Sequence, residues 1–156
     1  MPTFALPRTA IAAKLVLTAG EPADGTVFVM DRAPSHDGPE TVLDMLNRAE
    51  PFFPFRPDGR ADAVLLIAKA HTVQLAVAGT PFPDPARATA AQTAAVEIVL
   101  EGGSTITGRA LFELPDAHRR LLDFLNAPQE AFFAVTEGST THYVNRAHVL
   151  YARPTD

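Results

Sequence analysis

Apolar and polar residues alternate over short segments in both halves of the chain, and this pattern predicts β-strands separated by turns. Gly102-Gly103 lies between two segments rich in β-branched residues, which is typical of a β-hairpin. The last two segments of the chain meet at a very tight bend. The strands predicted in the second half cover 94–101, 104–113, 131–136, 140–145 and 147–152.

A short helix is predicted between the second and third strands of each half. The segment 117–125 places its leucines on one helical face, Asp116 is suited to cap the first turn, and Pro128 prevents continuation. The segment 40–47 has an equivalent but shorter apolar face. Each half therefore predicts the order strand, strand, helix, strand, strand, strand.

The two halves also resemble each other residue by residue. Shifting the sequence by 79 positions aligns Leu43-Asp44-Met45-Leu46-Asn47 with Leu122-Asp123-Phe124-Leu125-Asn126. Shifts of 83, 80 and 77 positions align Gly25 with Gly108, Phe52-Phe53 with Phe132-Phe133, and Lys69-Ala70-His71 with Arg146-Ala147-His148. Residues aligned in this way are called counterparts below. We interpret the pattern as a duplicated unit of about 65 residues, at 13–78 and again at 94–152.

A unit with five short strands must protect its sheet edges, and curling into a small barrel is one solution. We therefore predict a mainly β chain with one short helix per repeat, folded as two small five-stranded barrels related by pseudo-twofold symmetry. The first barrel repeat is assigned to 1–80 and the second to 94–156. The proline-rich segment 81–93 is predicted to be a stiff connector.

Two apolar features predict a further contact of the first repeat. The strand 64–68 is apolar on both faces, whereas its counterpart 141–145 alternates, so the first strand should be covered by the sister repeat or by another chain. Phenylalanines begin the third strand of each repeat and are assigned to the core. Because neighbouring side chains in a strand point to opposite faces, one ring of each adjacent pair is expected to point outward, towards the other barrel or a partner.

Composition excludes several classes of protein. The chain has 156 residues, 47% of them hydrophobic, and no cysteine, so it can form neither a disulfide framework nor a thiolate metal site. A net charge of −5 disfavours non-specific nucleic-acid binding. No apolar run is long enough to span a bilayer, and the N-terminus does not read as a signal peptide. We expect a cytoplasmic protein with no membrane contact and no cofactor.

Three features of each repeat resemble the Sm-like barrel family, which includes the bacterial Hfq-type RNA chaperones and shares an SH3-like topology. They are the glycine of the second strand (Gly25, Gly108), an Asp-x-x-Asn step (Asp44 and Asn47, Asp123 and Asn126) and a basic-small-polar bend between the last two strands. The bends are Lys69-Ala70-His71 and, after Asn145, Arg146-Ala147-His148. The resemblance implies a tandem of Sm-like barrels and RNA binding through these loops.

The candidate ligand-binding residues are therefore Asp44, Asn47, Lys69, His71, Asp123, Asn126, Asn145, Arg146 and His148. A structural role is an open alternative, because each aspartate could instead accept hydrogen bonds from a backbone bend or pair with Lys69 or Arg146 of its own repeat. No catalytic residues are assigned, since the consecutive Ser35-His36-Asp37 cannot form a catalytic relay. The five histidines lack metal-ligand spacing, so no metal site is expected.

These observations favour a non-enzymatic protein-interaction or regulatory module, with a protein partner or self-association. The alternative is Sm-like RNA or nucleotide binding through the two bends. A small hydrolase or metal enzyme is a third hypothesis, and it would require three polar side chains that converge in a pocket.

Overall fold

A computed structural model describes residues 8–33, 38–60, 62–79, 92–112, 121–126 and 130–155. The first half contains β1 (Arg8–Leu17), β2 (Ala23–Met30), α1 (Val42–Asn47), β3 (Phe52–Pro57), β4 (Leu65–Ala68), a first 3-10 turn (Lys69–His71) and β5 (Thr72–Ala78). The second half contains β6 (Gln92–Leu100), β7 (Thr105–Phe112), α2 (Leu121–Asn126), β8 (Phe132–Glu137), β9 (Thr140–Asn145), a second 3-10 turn (Arg146–His148) and β10 (Val149–Pro154). The prediction of a mainly β chain with short helices is confirmed.

The ten strands of the described residues belong to one antiparallel sheet, in the order β10-β6-β7-β8-β9-β5-β1-β2-β3-β4. The two halves meet where β5 pairs with β9, over five residue pairs from Gln74↔Val144 to Ala78↔Thr140. The sequence predicts two five-stranded barrels packed together, whereas this sheet is continuous and is not closed into a barrel. The physical reason is that the backbone groups of β5 and β9 pair with each other across the junction.

The core lies in two clusters, and each takes side chains from the other half. Phe132, Ala134 and Tyr143 of the second half belong to the cluster built around α1 and the first-half strands. Val73 of β5 belongs to the second-half cluster. The β5–β9 junction is therefore held by shared apolar packing as well as by strand pairing.

Helix α1 is two residues shorter than the predicted segment 40–47, because Thr41 caps it. The Thr41 hydroxyl accepts a hydrogen bond from the Asp44 N–H at 3.0 Å, and Asp44 Oδ2 accepts one from the Thr41 N–H at 2.9 Å. This reciprocal pair is a capping box. The predicted cap Asp116 and the first residues of the predicted second helix, 117–120, lie outside the described residues, as does most of the connector 81–93.

Strand β4 is not covered as the sequence predicts. Leu65 and Leu66 are exposed, because β4 is the end strand of the sheet and pairs only with β3 among the described strands. The prediction of one outward phenylalanine is confirmed for Phe52, which is exposed beside the buried Phe53. In the second half, Phe133 packs into its own core and Phe132 packs into the first-half core, so the predicted contact with the other repeat is confirmed for Phe132.

No helix in the described part of the chain is both long enough and apolar enough to cross a membrane.

Candidate functional site

The junction of the two halves forms a shallow groove that gathers candidate residues from both. Asn47, Lys69 and Asn145 line it, together with backbone and apolar atoms of the neighbouring bends. The remaining lining residues are Leu46, Arg48, Ala49, Glu50, Pro51, Ala70, Ala131, Phe132 and Ala147. The sequence alignment places these residues in separate repeats, and the strand pairing at β5 and β9 brings them together.

Asn47 ties the end of α1 to the second half. Its side-chain oxygen accepts a hydrogen bond from the Phe132 N–H at 2.9 Å, and its Nδ2 donates to the Phe132 carbonyl at 3.1 Å. Nδ2 also donates to Glu130 Oε2 at 2.9 Å. The side-chain amide of Asn47 thus pairs with the backbone of one residue of β8, as a neighbouring strand would. Asn126, the counterpart of Asn47, is exposed.

Lys69 caps the C-terminal end of α1. Its Nζ donates to the carbonyls of Met45 at 2.9 Å and Arg48 at 3.0 Å. These carbonyls lie in and just after the last turn of the helix, where a positive charge is favourable. Burial, reinforced by the nearby positive charge of Arg48, lowers the pKa of Lys69.

Arg146, the counterpart of Lys69, makes equivalent contacts in the second half. It donates from Nη1 to the Phe124 carbonyl of α2 at 2.5 Å and from Nε to the Glu130 carbonyl at 3.1 Å. Its guanidinium also lies over the Phe124 and Phe133 rings, with its central carbon 4.8 and 5.3 Å from the ring centroids. Burial lowers the pKa of Arg146. Both basic residues therefore attach a helix to the bend of their own half.

The two bends contact each other across the junction. Asn145 Nδ2 donates to the Lys69 carbonyl at 3.2 Å, while its side-chain oxygen accepts the Ala147 N–H at 3.0 Å. His148 Nε2 donates to the Ala70 carbonyl at 2.6 Å. His71, the counterpart of His148, is exposed. Both bends are 3-10 turns, at Lys69–His71 and Arg146–His148.

The two candidate aspartates differ in their surroundings. Asp44 accepts a hydrogen bond from the Thr41 N–H at the start of its own helix. Burial raises the pKa of Tyr143 on β9, and the negative charge of Asp44 adds to this shift. Asp123 is exposed on α2. Lys69 donates to carbonyls of α1 and of the residue after it, and Arg146 donates to the Phe124 carbonyl in α2 and to the Glu130 carbonyl.

Three side chains of the groove, those of Asn47, Lys69 and Asn145, form hydrogen bonds with backbone groups. Within the described ranges, no group of three histidine or acidic residues could hold a metal ion. The segment Ser35-His36-Asp37 lies outside the described residues. Sequence reasoning missed Thr41 and Glu130. The spacing Thr41-x-x-Asp44 is a signal that could have revealed the capping box.

Backbone hydrogen bonds of the bends also recur at counterpart positions. The Lys69 N–H donates to the Pro51 carbonyl and the Arg146 N–H to the Ala131 carbonyl, both at 2.8 Å. The bend carbonyl of His71 accepts the Thr18 N–H at 3.0 Å, and that of His148 accepts the Glu101 N–H at 2.9 Å. Each bend is thus fixed to the same two places in its own half.

Comparison of the chain with protein-family models, with curated proteins and with solved structures finds no match.

Proposed function

We propose that the chain is a tandem of two Sm-like units that serves as a non-enzymatic protein-interaction module. Support for the tandem comes from the strand order, which is β5-β1-β2-β3-β4 in the first half and, at counterpart positions, β10-β6-β7-β8-β9 in the second. The matching hydrogen bonds of Lys69 and Arg146 with their own helices agree with it.

The observation that carries the interaction proposal is the position of the exposed apolar side chains. In the described part of the chain, the exposed large apolar residues are Phe52, Val64, Leu65, Leu66, Leu122, Leu150 and Tyr151. All but Leu122 lie on or beside β4 and β10, the two end strands of the sheet. An unpaired strand edge with apolar side chains is a surface that binds another protein by strand addition.

RNA binding through the two bends is the second candidate. It is supported by the contact of the bends, which places Ala70 and the exposed His71 beside the groove between the halves. The engagement of Lys69 and Arg146 with backbone carbonyls favours the protein-interaction proposal, because phosphate binding requires cations that are free to pair with it.

One photocrosslinking experiment tests both candidates. A diazirine amino acid, which inserts into protein or RNA, is placed in turn at position 66 on β4, at position 70 in the groove, and at position 122 on α2. Leu122 is the matched control, because it is 64% exposed and Leu66 is 71% exposed. We expect protein adducts in cells at position 66 and few at position 122. RNA adducts at position 70 without protein adducts at position 66 would contradict the proposal and support the second candidate.

A further inference from the structure

The face of the first-half sheet that points away from its core carries a cleft in which apolar and charged side chains meet. Its apolar side chains come from alternate positions of β2 and β3, which point to one face of the sheet. The residues that line this cationic cleft are Phe28, Met30, Phe52 and Pro54, with the charged residues Arg8, Arg48, Glu50 and Lys69. The cleft has a volume of about 120 Å³, which is less than the roughly 300–1,000 Å³ of a typical small-molecule pocket. It is therefore suited to a single side chain of a partner.

The equivalent face of the second half is covered by the first half. Its residues Leu111, Phe132, Ala134 and Tyr143 pack against the first-half core. Their counterparts, in the same order, are Phe28, Phe52, Pro54 and Leu66. As far as the described residues extend, this face is open in the first half, since Phe52 is 55% exposed and Leu66 is 71% exposed. A partner that covers it is therefore expected to contribute an apolar side chain.

Positive charge distinguishes the open face from the covered one. Three arginines of the first half occupy positions where the second half has neutral residues: Arg8, Arg48 and Arg56 have the counterparts Ala91, Ala127 and Thr136. The Arg56 guanidinium lies over the Phe28 ring, 5.0 Å from its centroid, and Arg56 Nε has no hydrogen-bond partner among the described residues. Arg8 is exposed. Because the whole chain has a net charge of −5, this local positive charge favours a partner that carries carboxylates.

Arg48 is fixed at the cleft by a buried carboxylate. Its Nε lies 2.9 Å from Glu40 Oε2, and Glu40 Oε1 accepts a hydrogen bond from the Met30 N–H at 2.9 Å. The Glu40 side chain is fully buried, whereas the Arg48 side chain is 25% exposed. Arg48 Nη1 also lies 3.7 Å from Oε2 of the exposed Glu50. A guanidinium held in this way loses little conformational entropy when it pairs with a carboxylate of a partner.

We propose that the cationic cleft binds a partner protein through an acidic segment in which one apolar side chain lies between aspartates or glutamates. The apolar side chain enters the cleft and contacts the Phe28 and Phe52 rings. The neighbouring carboxylates pair with the guanidinium groups of Arg8 and Arg48, whose planar shape suits contact with both carboxylate oxygens. This inference rests on the proposed function, for which it names the chemistry of the partner.

The cleft suits an acidic protein segment better than it suits RNA. The Arg56 guanidinium covers one side of the Phe28 ring, so this side is not free to stack on a base. Lys69 donates to two backbone carbonyls, and the Glu50 carboxylate lies beside Arg48. These contacts reduce the positive charge that is available to successive phosphates, whereas a single carboxylate needs one cation.

Titration of the isotope-labelled chain with short synthetic peptides, followed by the NMR shifts of its backbone amides, tests the proposal. The first peptide is Glu-Asp-Leu-Asp-Glu, blocked at both ends. The second has alanine in place of leucine, and the third has lysine in place of each acidic residue. The first peptide is expected to shift amides within 28–30 and 48–53 with a Kd below about 1 mM. Loss of the leucine is expected to weaken binding about tenfold, and the lysine peptide is not expected to bind.

Two charge-reversal variants locate the binding site. Arg8→Glu is expected to weaken binding of the first peptide about five- to tenfold, because it removes an ion pair and adds a repulsion. Arg153→Glu is the matched control, since Arg153 is exposed at the opposite end of the sheet and the substitution changes the net charge equally. It is expected to leave the affinity almost unchanged. The amide spectra also report whether each variant is folded.

Three results would overturn the inference: no saturable shift at the cleft with the first peptide, equal affinity for the acidic and the lysine peptide, or an equal loss of affinity in the two variants. A single-stranded RNA that shifts the same amides and binds more tightly than the first peptide would overturn it in favour of RNA. The proposed function is judged separately. Protein adducts at position 66 without peptide binding contradict only this inference, whereas the absence of both contradicts the proposed function as well.

Discussion

Asn47→Ala is expected to lower the free energy of unfolding by about 2–3 kcal/mol, because it removes the side chain that pairs with the Phe132 backbone. The N–H and C=O of Phe132 are partly buried, and after the substitution neither has its partner. An unsatisfied buried polar group costs about 1–3 kcal/mol. The loss also detaches α1 from β8, where Phe132 and Ala134 enter the first-half core.

Asn126→Ala is the matched control, since Asn126 is the counterpart of Asn47 and is exposed. We expect it to change the unfolding free energy by less than about 0.5 kcal/mol. Both variants are measured by urea unfolding at the same chain concentration. Equal effects of the two substitutions would contradict the role assigned to Asn47.

Gly108→Ala is expected to destabilise the chain by about 2–3 kcal/mol, because there is no room for a Cβ between β7 and β8. A Cβ on Gly108 would approach the Thr136 carbonyl oxygen to less than 3.0 Å, and this oxygen belongs to the backbone. The strands would have to separate where Arg109 pairs with Thr136. Thermal or urea unfolding of the variant measures the loss.

The first half provides the matched comparison. A Cβ on Gly25, the counterpart of Gly108, would overlap the Arg56 carbonyl oxygen and the Phe55 ring. Gly25→Ala is therefore expected to cost a similar amount. Where there is room for a Cβ, alanine stabilises a strand relative to glycine. An unchanged or increased free energy of unfolding for either variant would therefore show that the strands do not approach each other this closely.

The local elements could be predicted from the sequence because their signals are local. Segment 140–145 is predicted and observed as a strand with the same bounds, since turn residues flank it on one side and a bend on the other. Helix α1 is predicted two residues too long because the threonine cap was not recognised. Within each half, strands that follow each other in the sequence are joined by short connections and tend to pair, and this limits the possible strand orders.

The joining of the halves could not be predicted, because it depends on residues far apart in the chain. Gln74 pairs with Val144 through backbone groups, which every residue but proline carries. The sequence does indicate that β4 needs cover, but it does not show that the sister repeat leaves Leu66 exposed. Asn47 and Asn126 are identical in type, and only the fold gives Asn47 a partner in β8.

Amide hydrogen exchange across the junction tests the central claim most directly, namely that β5 and β9 make the two halves one sheet. Backbone amides that β5 and β9 direct at each other, within 74–78 and 140–144, are expected to exchange as slowly as those between β6 and β7. Exchange at the rate of solvent-exposed amides, with slow exchange kept inside each half, would contradict the account and indicate two separate units.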